Sequence, residues 1–158
     1  MSFEKVKSYF DEQGIGDKVL QFERSSATVA LAAAAVGCEP AKIAKTMSFY
    51  VDEAPVLIVT AGDTKVDNKK FKAHFHQKAK MITYDEVEAA TGHAPGGVCP
   101  FVLKEGIKVY LDESLKRFDV IYPAAGSSNS AVKLTIDEIQ KHTGYMEWID
   151  VCKIIEMD

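Results

Sequence analysis

Three groups of residues in this sequence combine types and spacings that can do chemistry. The first is Gly92-His93-Ala94-Pro95-Gly96-Gly97-Val98-Cys99-Pro100-Phe101, with three glycines and two prolines in ten residues. Glycine permits positive φ and close backbone approach, whereas proline fixes φ and removes a donor. Such a run is neither a regular helix nor a central strand. It reads as a sharply bent loop, either a structural turn or a cradle whose N–H groups grip a carbonyl or phosphate oxygen. The second is Lys45, which opens an apolar strand just after an alanine-rich stretch and a glycine. It is either a solvated strand-start lysine or a positive charge held at a pocket mouth, close to an anionic group. The third is the segment from Lys65 to Lys80. Lys65, Lys69, Lys70, Lys72, Lys78 and Lys80 stand there against a single acid, Asp67, with His74 and His76 among them. The segment carries a formal +5 in a chain of net −4, so the remainder carries −9. It is either a solvated helix face or a local patch for phosphates on an otherwise acidic protein.

Familiar catalytic sets are missing. There is no G-x-S-x-G elbow, no H-E-x-x-H and no P-loop, and Gly92, Gly96 and Gly97 do not make a dinucleotide fingerprint. The four histidines lack metal-ligand spacing; His74 and His76, two apart, point to different faces of a helix. No metal and no cofactor are expected. Cys99 sits in the Gly/Pro loop, but nothing nearby in sequence supplies a base, so it reads as an inert small residue rather than a nucleophile. With Cys38 and Cys152 it makes an odd, widely spaced set. That argues against a disulfide framework or zinc site and for a reducing cytoplasm.

The elements that must position these residues can be read from periodicity and punctuation. Ser2 caps a helix to Gln13 that Gly14 and Gly16 end. Val19–Phe22 is a short strand. Ser25 or Ser26 caps a helix running to Val36, closed by Gly37, and Pro40 opens a short helical turn. Lys45–Val51 and Val56–Ala61 read as a strand hairpin turning at 52–55, the second strand wholly apolar and buried. Asp67 or Asn68 caps the basic helix to about His76. Met81-Ile82 is a short strand, and Thr83 and Glu86 form the capping box of a helix to Ala90. Ile107–Leu111, Val120–Pro123 and Ala131–Leu134 are strands, Thr135–Thr143 is a helix ended by Gly144, and Trp148–Ile155 closes the sheet.

At 158 residues, 47% hydrophobic and 27% charged, the chain reads as one soluble domain, 1–158, with a real core. Helices and strands mix without a strict βαβ rhythm, which predicts an α/β or α+β domain with a mixed sheet. No apolar run is long enough to span a membrane, and the first residues lack the pattern of a signal peptide. Net negative charge argues against a general nucleic-acid coating protein.

Three blocks, in order, resemble the YbaK family and the related editing insertion domain of bacterial prolyl-tRNA synthetases. They are Thr28–Gly37 leading to Ile43-Ala44-Lys45-Thr46-Met47; Thr91-Gly92-His93 with Gly96 to Phe101, where Gly96 and Pro100 match a G-x-x-x-P loop; and Tyr110-Leu111-Asp112-Glu113-Ser114-Leu115 with Ala125-Gly126-Ser127. The resemblance implies a barrel-like mixed sheet flanked by helices and a hydrolase that removes wrong amino acids from tRNA in trans. It implies that Lys45 is important for activity near the acceptor end, and that Gly96, Gly97 and Pro100 shape the reacting site with backbone groups. Thr28, Thr46, His93, Val98, Cys99, Phe101, Gly126 and Ser127 are implied to contact the aminoacyl group. The tRNA's own terminal ribose hydroxyl is implied to assist, which also tells RNA from DNA. Lys65, Lys69, Lys70 and Lys72 would receive acceptor-stem phosphates. The partner is the aminoacyl-tRNA acceptor end, with a prolyl-tRNA synthetase suggested as well; neither DNA nor a membrane is expected. Val102, where relatives often carry glycine, and the polar run Ser127–Ser130 leave cysteinyl, alanyl, seryl and threonyl esters as candidates. The alternative is a non-catalytic module of the same fold that binds tRNA or a synthetase.

Overall fold

The computed structural model describes residues 2–156. Five α-helices lie among them: α1 (Ser2–Glu12), α2 (Val29–Val36), α3 (Asn68–Phe75), α4 (Val87–Thr91) and α5 (Ile136–Thr143). The strands are β1 (Val19–Gln21), β2 (Ile43–Val51), β3 (Ala54–Ala61), β4 (Thr64–Val66), β5 (Lys108–Asp112), β6 (Val120–Pro123), β7 (Ser130–Val132), β8 (Leu134–Thr135), β9 (Trp148–Ile149) and β10 (Cys152–Ile154). Six of them make one curled, half-barrel sheet in the order β8-β6-β2-β3-β5-β9. The mixed sheet expected from the sequence is present. β2 and β3 form its antiparallel centre, while β6 joins β2, β5 joins β3 and β9 joins β5 in parallel. Two antiparallel pairs, β1–β7 and β4–β10, stand beside it.

The hairpin turn is tighter than its sequence suggests. Val51 pairs with Ala54, and Asp52 and Glu53 both take positive φ, 52° and 67°. That is the geometry of a two-residue type I′ turn, whose twist matches that of the strands. β3 is buried from Val56 to Ala61 because both its faces are covered. Leu57, Val59 and Ala61 meet a main core with Phe10, Phe101, Leu111, Ile121 and Leu134. Val56 and Ile58 meet a second core with Phe49, Phe71, Ile149 and Val151. α1 delivers Phe10 to the first and α3 delivers Phe71 to the second; each such side chain contributes about 1.5–3 kcal/mol by leaving water. Ala32, Ala33 and Ile43 form a third, small cluster that seats α2.

Several elements differ from the sequence reading for identifiable reasons. α2 starts at Val29 because Thr28, not Ser25 or Ser26, is its cap, accepting from the Leu31 N–H at 3.2 Å. Thr83 to Glu86 forms a turn rather than a first helical turn, and only Val87–Thr91 is helical. The Glu86 carboxylate accepts from the Tyr50 hydroxyl instead of closing a capping box. Ala131–Leu134 divides at Lys133: β7 pairs with β1 and β8 with β6. Trp148–Ile155 likewise divides between β5 and β4 as partners. Met81 makes a single bridge to Phe49. No helix among the described residues is long and apolar enough to cross a membrane.

Candidate functional site

The site begins at a fork in the sheet. β6 pairs with β2 only through Ile43–Tyr122 and Ala44–Pro123. Beyond Pro123 the chain leaves β2, turning at Gly126 with φ 90°. Further along the same edge β2 is covered again: Ser48 accepts from the Ile82 N–H, and Tyr50 donates to the Lys80 carbonyl. Between these two pairings lies an uncovered stretch of strand edge. A cavity of about 270 Å³ opens there. One wall is β2 from Ile43 to Thr46; the others are Ala27, Thr28 and Val29 at the start of α2, Gly96 and Val98 of the Gly/Pro loop, and Ala124, Ser130 and Ala131. It sits just past the carboxyl end of β6, where chains diverge from a parallel pair, the usual place for a ligand crevice in such sheets.

The loop from Gly92 to Phe101 has no regular structure beyond turns, as its composition demands. What fixes it is a buried imidazole. His93 is 1% exposed. Its Nε2 lies 2.7 Å from the Phe101 carbonyl, which can only accept, so Nε2 carries the proton. Nδ1 then accepts from the Ser2 hydroxyl of α1 at 2.5 Å. The His93 N–H also donates to Thr91 Oγ1 at 3.1 Å. One side chain thus ties both ends of the loop to each other and to α1. Close backbone contacts complete the assembly. A Cβ on Gly97 would lie 2.7 Å from Ser127 Cα, and one on Gly126 would lie 2.8 Å from the Ser2 carbonyl. Only glycine permits three chain segments to stack this closely.

Cys99 Sγ is 3.5 Å from His93 Nε2, a base that sequence spacing did not suggest. That nitrogen, however, has no free lone pair, because its proton is engaged with Phe101. Burial pushes the Cys99 thiol up to about 12. The pair is a structural contact, not an activated nucleophile.

Burial lowers the pKa of His93, and also that of His142, whose Nδ1 lies 2.9 Å from the Tyr9 hydroxyl. The unfolded chain takes up a proton near pH 6.5, while the folded chain resists, so stability is complete above that pH and falls below it. Each histidine contributes a slope of at most about 1.4 kcal/mol per pH unit. Urea unfolding near pH 7 and near pH 5.5 is expected to show lower stability in acid. A His142→Asn variant should reduce the difference.

Lys45 is half-buried and pairs across the strands with Thr60. Its ammonium donates to the Thr64 carbonyl, at the start of β4. Burial lowers its pKa; the neighbouring Cys152 and Asp63 act in the opposite direction. Asp63 is itself held below the usual carboxylate range by Arg117, whose two terminal nitrogens reach it at 3.0 and 2.6 Å. The wall behind Lys45 is fixed by the Asp-x-Ser motif. Asp112 accepts from the Ser114 and Val151 N–H groups at 2.9 and 3.0 Å, and Ser114 Oγ accepts from the Ala61 N–H.

Of the residues singled out in the sequence, Thr28, Lys45, Thr46, Gly96 and Val98 line the cavity together. His93, Cys99, Phe101 and Pro100 lie behind the loop, all buried, and do not line it. Gly97 packs on Gly126 and Ser127, which support the loop from outside. Lys65, Lys69 and Lys72 are exposed beside α3 and away from the cavity wall. Lys70 is engaged with Asp150 at 3.0 Å and the Cys152 carbonyl at 2.9 Å. Sequence reasoning missed Ser2, Ala27, Ala124, Ser130 and Ala131. The small residues at 124–126 and 130–131 were the available sign of a crowded crossing.

The family model for the aminoacyl-tRNA editing domain matches residues 23–142. YwhH of Bacillus subtilis (strain 168), an uncharacterized protein, is 47% identical over 154 residues, covering 97% of this chain and 98% of that one. EbsC of Enterococcus faecalis (strain ATCC 700802 / V583) is provisionally named a Cys-tRNA(Pro)/Cys-tRNA(Cys) deacylase. It is 30% identical over 109 residues, 68% of this chain and 66% of that one. A crystal structure provisionally described as a trans-editing enzyme for prolyl-tRNA synthetase superposes with a TM-score of 0.85 at 28% identity, covering 96% of this chain and 97% of the other.

Proposed function

Because this chain belongs to the aminoacyl-tRNA editing domain family, we propose that it hydrolyses, in trans, the ester bond of tRNA mischarged with a small amino acid. The observation that carries this reading is the cavity at the fork of β2 and β6. It is walled by β2, the start of α2, the Gly/Pro loop and the small residues at 124 and 130–131, and has a half-buried lysine at its edge. An aminoacyl ester is already activated, so it needs a positioned water and stabilisation of the developing oxyanion rather than a covalent relay. The backbone N–H groups of Gly96 and Val98, which line the cavity, serve the oxyanion, that of Gly97 being engaged with the Ala94 carbonyl. Lys45 holds the terminal phosphate or ribose. The 2′-hydroxyl beside the ester orients the attacking water and assists its proton transfer. The cavity, at the small end of ligand sites, suits cysteinyl, alanyl, seryl or threonyl groups. Those are the groups that a synthetase pocket discriminates poorly. The exposed lysines of β4 and α3 favour approach of the acceptor stem, with a salt dependence to match.

The test is hydrolysis of tRNAs charged with cysteine, alanine, serine, threonine and proline. Rapid loss of one or two of these esters is expected. Binding of tRNA without any turnover would replace the reading with that of a binding module. Cys99→Ala is expected to retain turnover while lowering stability by about 1 kcal/mol for the small void it leaves. Loss of chemistry in a folded Cys99→Ala protein would instead make the thiol a participant.

A further inference from the structure

The open edge of β2 carries more information than its position. In this strand the odd residues make the narrow pairs with β3: the two-residue turn closes on Val51–Ala54, and Phe49–Val56, Met47–Ile58 and Lys45–Thr60 follow in step. The even residues therefore direct their N–H and C=O to the opposite edge. Ser48 and Tyr50 confirm this by bonding to Ile82 and Lys80 there. Ala44 is the even residue opposite Pro123 in the short pairing with β6. Thr46, between Ala44 and Ser48, is the even residue at the uncovered stretch, and it lines the cavity. Its own hydroxyl is enclosed and has no hydrogen-bond partner among the described residues. What Thr46 offers the cavity is thus its backbone, an N–H and a C=O on one strand edge with no strand opposite.

Resting on the deacylase reading, we propose that Thr46 receives the aminoacyl group as a single-residue antiparallel partner. An aminoacyl ester has an ammonium and a carbonyl on one Cα, the same arrangement that a residue presents in a narrow antiparallel pair. The Thr46 carbonyl accepts from the substrate's α-ammonium, and the Thr46 N–H donates to the ester carbonyl. In such a pair both side chains project from the same face of the sheet. The substrate side chain then falls on the Thr46 face, the face of Ala44, where Val98 and Ala124 pack against the main core. Those neighbours leave space for a small group only. Recognition of the amino-acid backbone is thereby separated from recognition of its side chain: the first is made by a strand edge, the second by the size of the space above it.

The experiment compares alanyl-tRNA with propionyl-tRNA, which differ only by the α-ammonium, each rate divided by its spontaneous hydrolysis in the same buffer. Losing a charge-assisted hydrogen bond is expected to lower the normalised kcat/KM for the propionyl ester by about 10- to 100-fold. In parallel, 3′-alanylamido-3′-deoxyadenosine is expected to shift the Thr46 amide resonance and slow its exchange with solvent. Thr46→Pro deletes that N–H at an edge where proline is tolerated and is expected to lose hydrolysis of both esters. Should that variant fail to fold, the two esters on the native protein still decide. Equal normalised rates for the two esters, with both cleaved, would overturn the strand-edge assignment and leave the deacylase reading standing. An unmoved Thr46 amide on saturation with the analogue would also overturn it. Failure to cleave any aminoacyl ester would remove both.

Discussion

Lys45→Ala is expected to lower hydrolysis of the preferred ester by about 10²–10³-fold, the usual cost of removing one positioned electrostatic group from a reacting site. The fold should survive. The side chain is half-buried, and among the described residues its hydrogen bond goes to the Thr64 carbonyl, while its burial already opposes the charge. Removing the amine forfeits that bond and relieves the desolvated charge together, so the net change in stability is within about 1 kcal/mol. Lys45→Arg should restore little, because a planar fork does not fit a station built for a compact ammonium. Circular dichroism and unfolding temperature, read beside the rates on the preferred ester, separate the two effects. A folded Lys45→Ala protein with native turnover would remove Lys45 from the mechanism.

The second large effect is expected at Gly97. A methyl group there meets Ser127 Cα and N at 2.7 Å and the Gly126 carbonyl carbon at 2.9 Å. These are backbone atoms, and Gly126 is itself pressed on Ser2. Gly97→Ala must therefore push the loop off its support. Overpacking of this kind costs about 1–3 kcal/mol, and a displacement on the order of 1 Å at the reacting group costs about 10²-fold in kcat/KM. Gly106→Ala is the control: its φ is 88°, but its surroundings are open. It should lose some stability and no catalysis. Equal behaviour of the two variants in turnover would mean that the 97–127 contact does not position the site.

Much of this architecture was legible in the chain. Glycines marked the ends of α2 and α5, the alternation of Lys45–Val51 and the apolar run to Ala61 gave the central hairpin, and the Gly/Pro run gave the loop. What was illegible depends on partners distant in sequence. Nothing local says that the strand read at Ala131–Leu134 changes partner at Lys133, or that Trp148–Ile155 serves two sheets. The Thr83–Glu86 signature failed because Tyr50, on another strand, takes the glutamate. The same holds at the site. Lys45, Thr46 and Gly96 stood out by type and resemblance. Ala124 and Ala131 carry no chemical signal and matter only because the fold faces them onto β2. His93 and Cys99 stood out by type, yet their contacts with Ser2 and Phe101 turn them inward.

The fork between β2 and β6 also sets an order of events in time. β2 and β3 are joined by a two-residue turn, so their eight pairs can zip with almost no loop to close. Ile43 and Tyr122 are 79 residues apart and share only two paired positions with their strands. That seam is expected to close late in folding and to part early in native fluctuations. Amide exchange would then find Val56 and Ile58, whose N–H groups face β2, protected to the global limit and Tyr122 exchanging through a smaller opening. A ligand seated in the cavity bridges both sides of the seam. The molecule that this protein acts on would also be the stitch that holds its least secure joint shut.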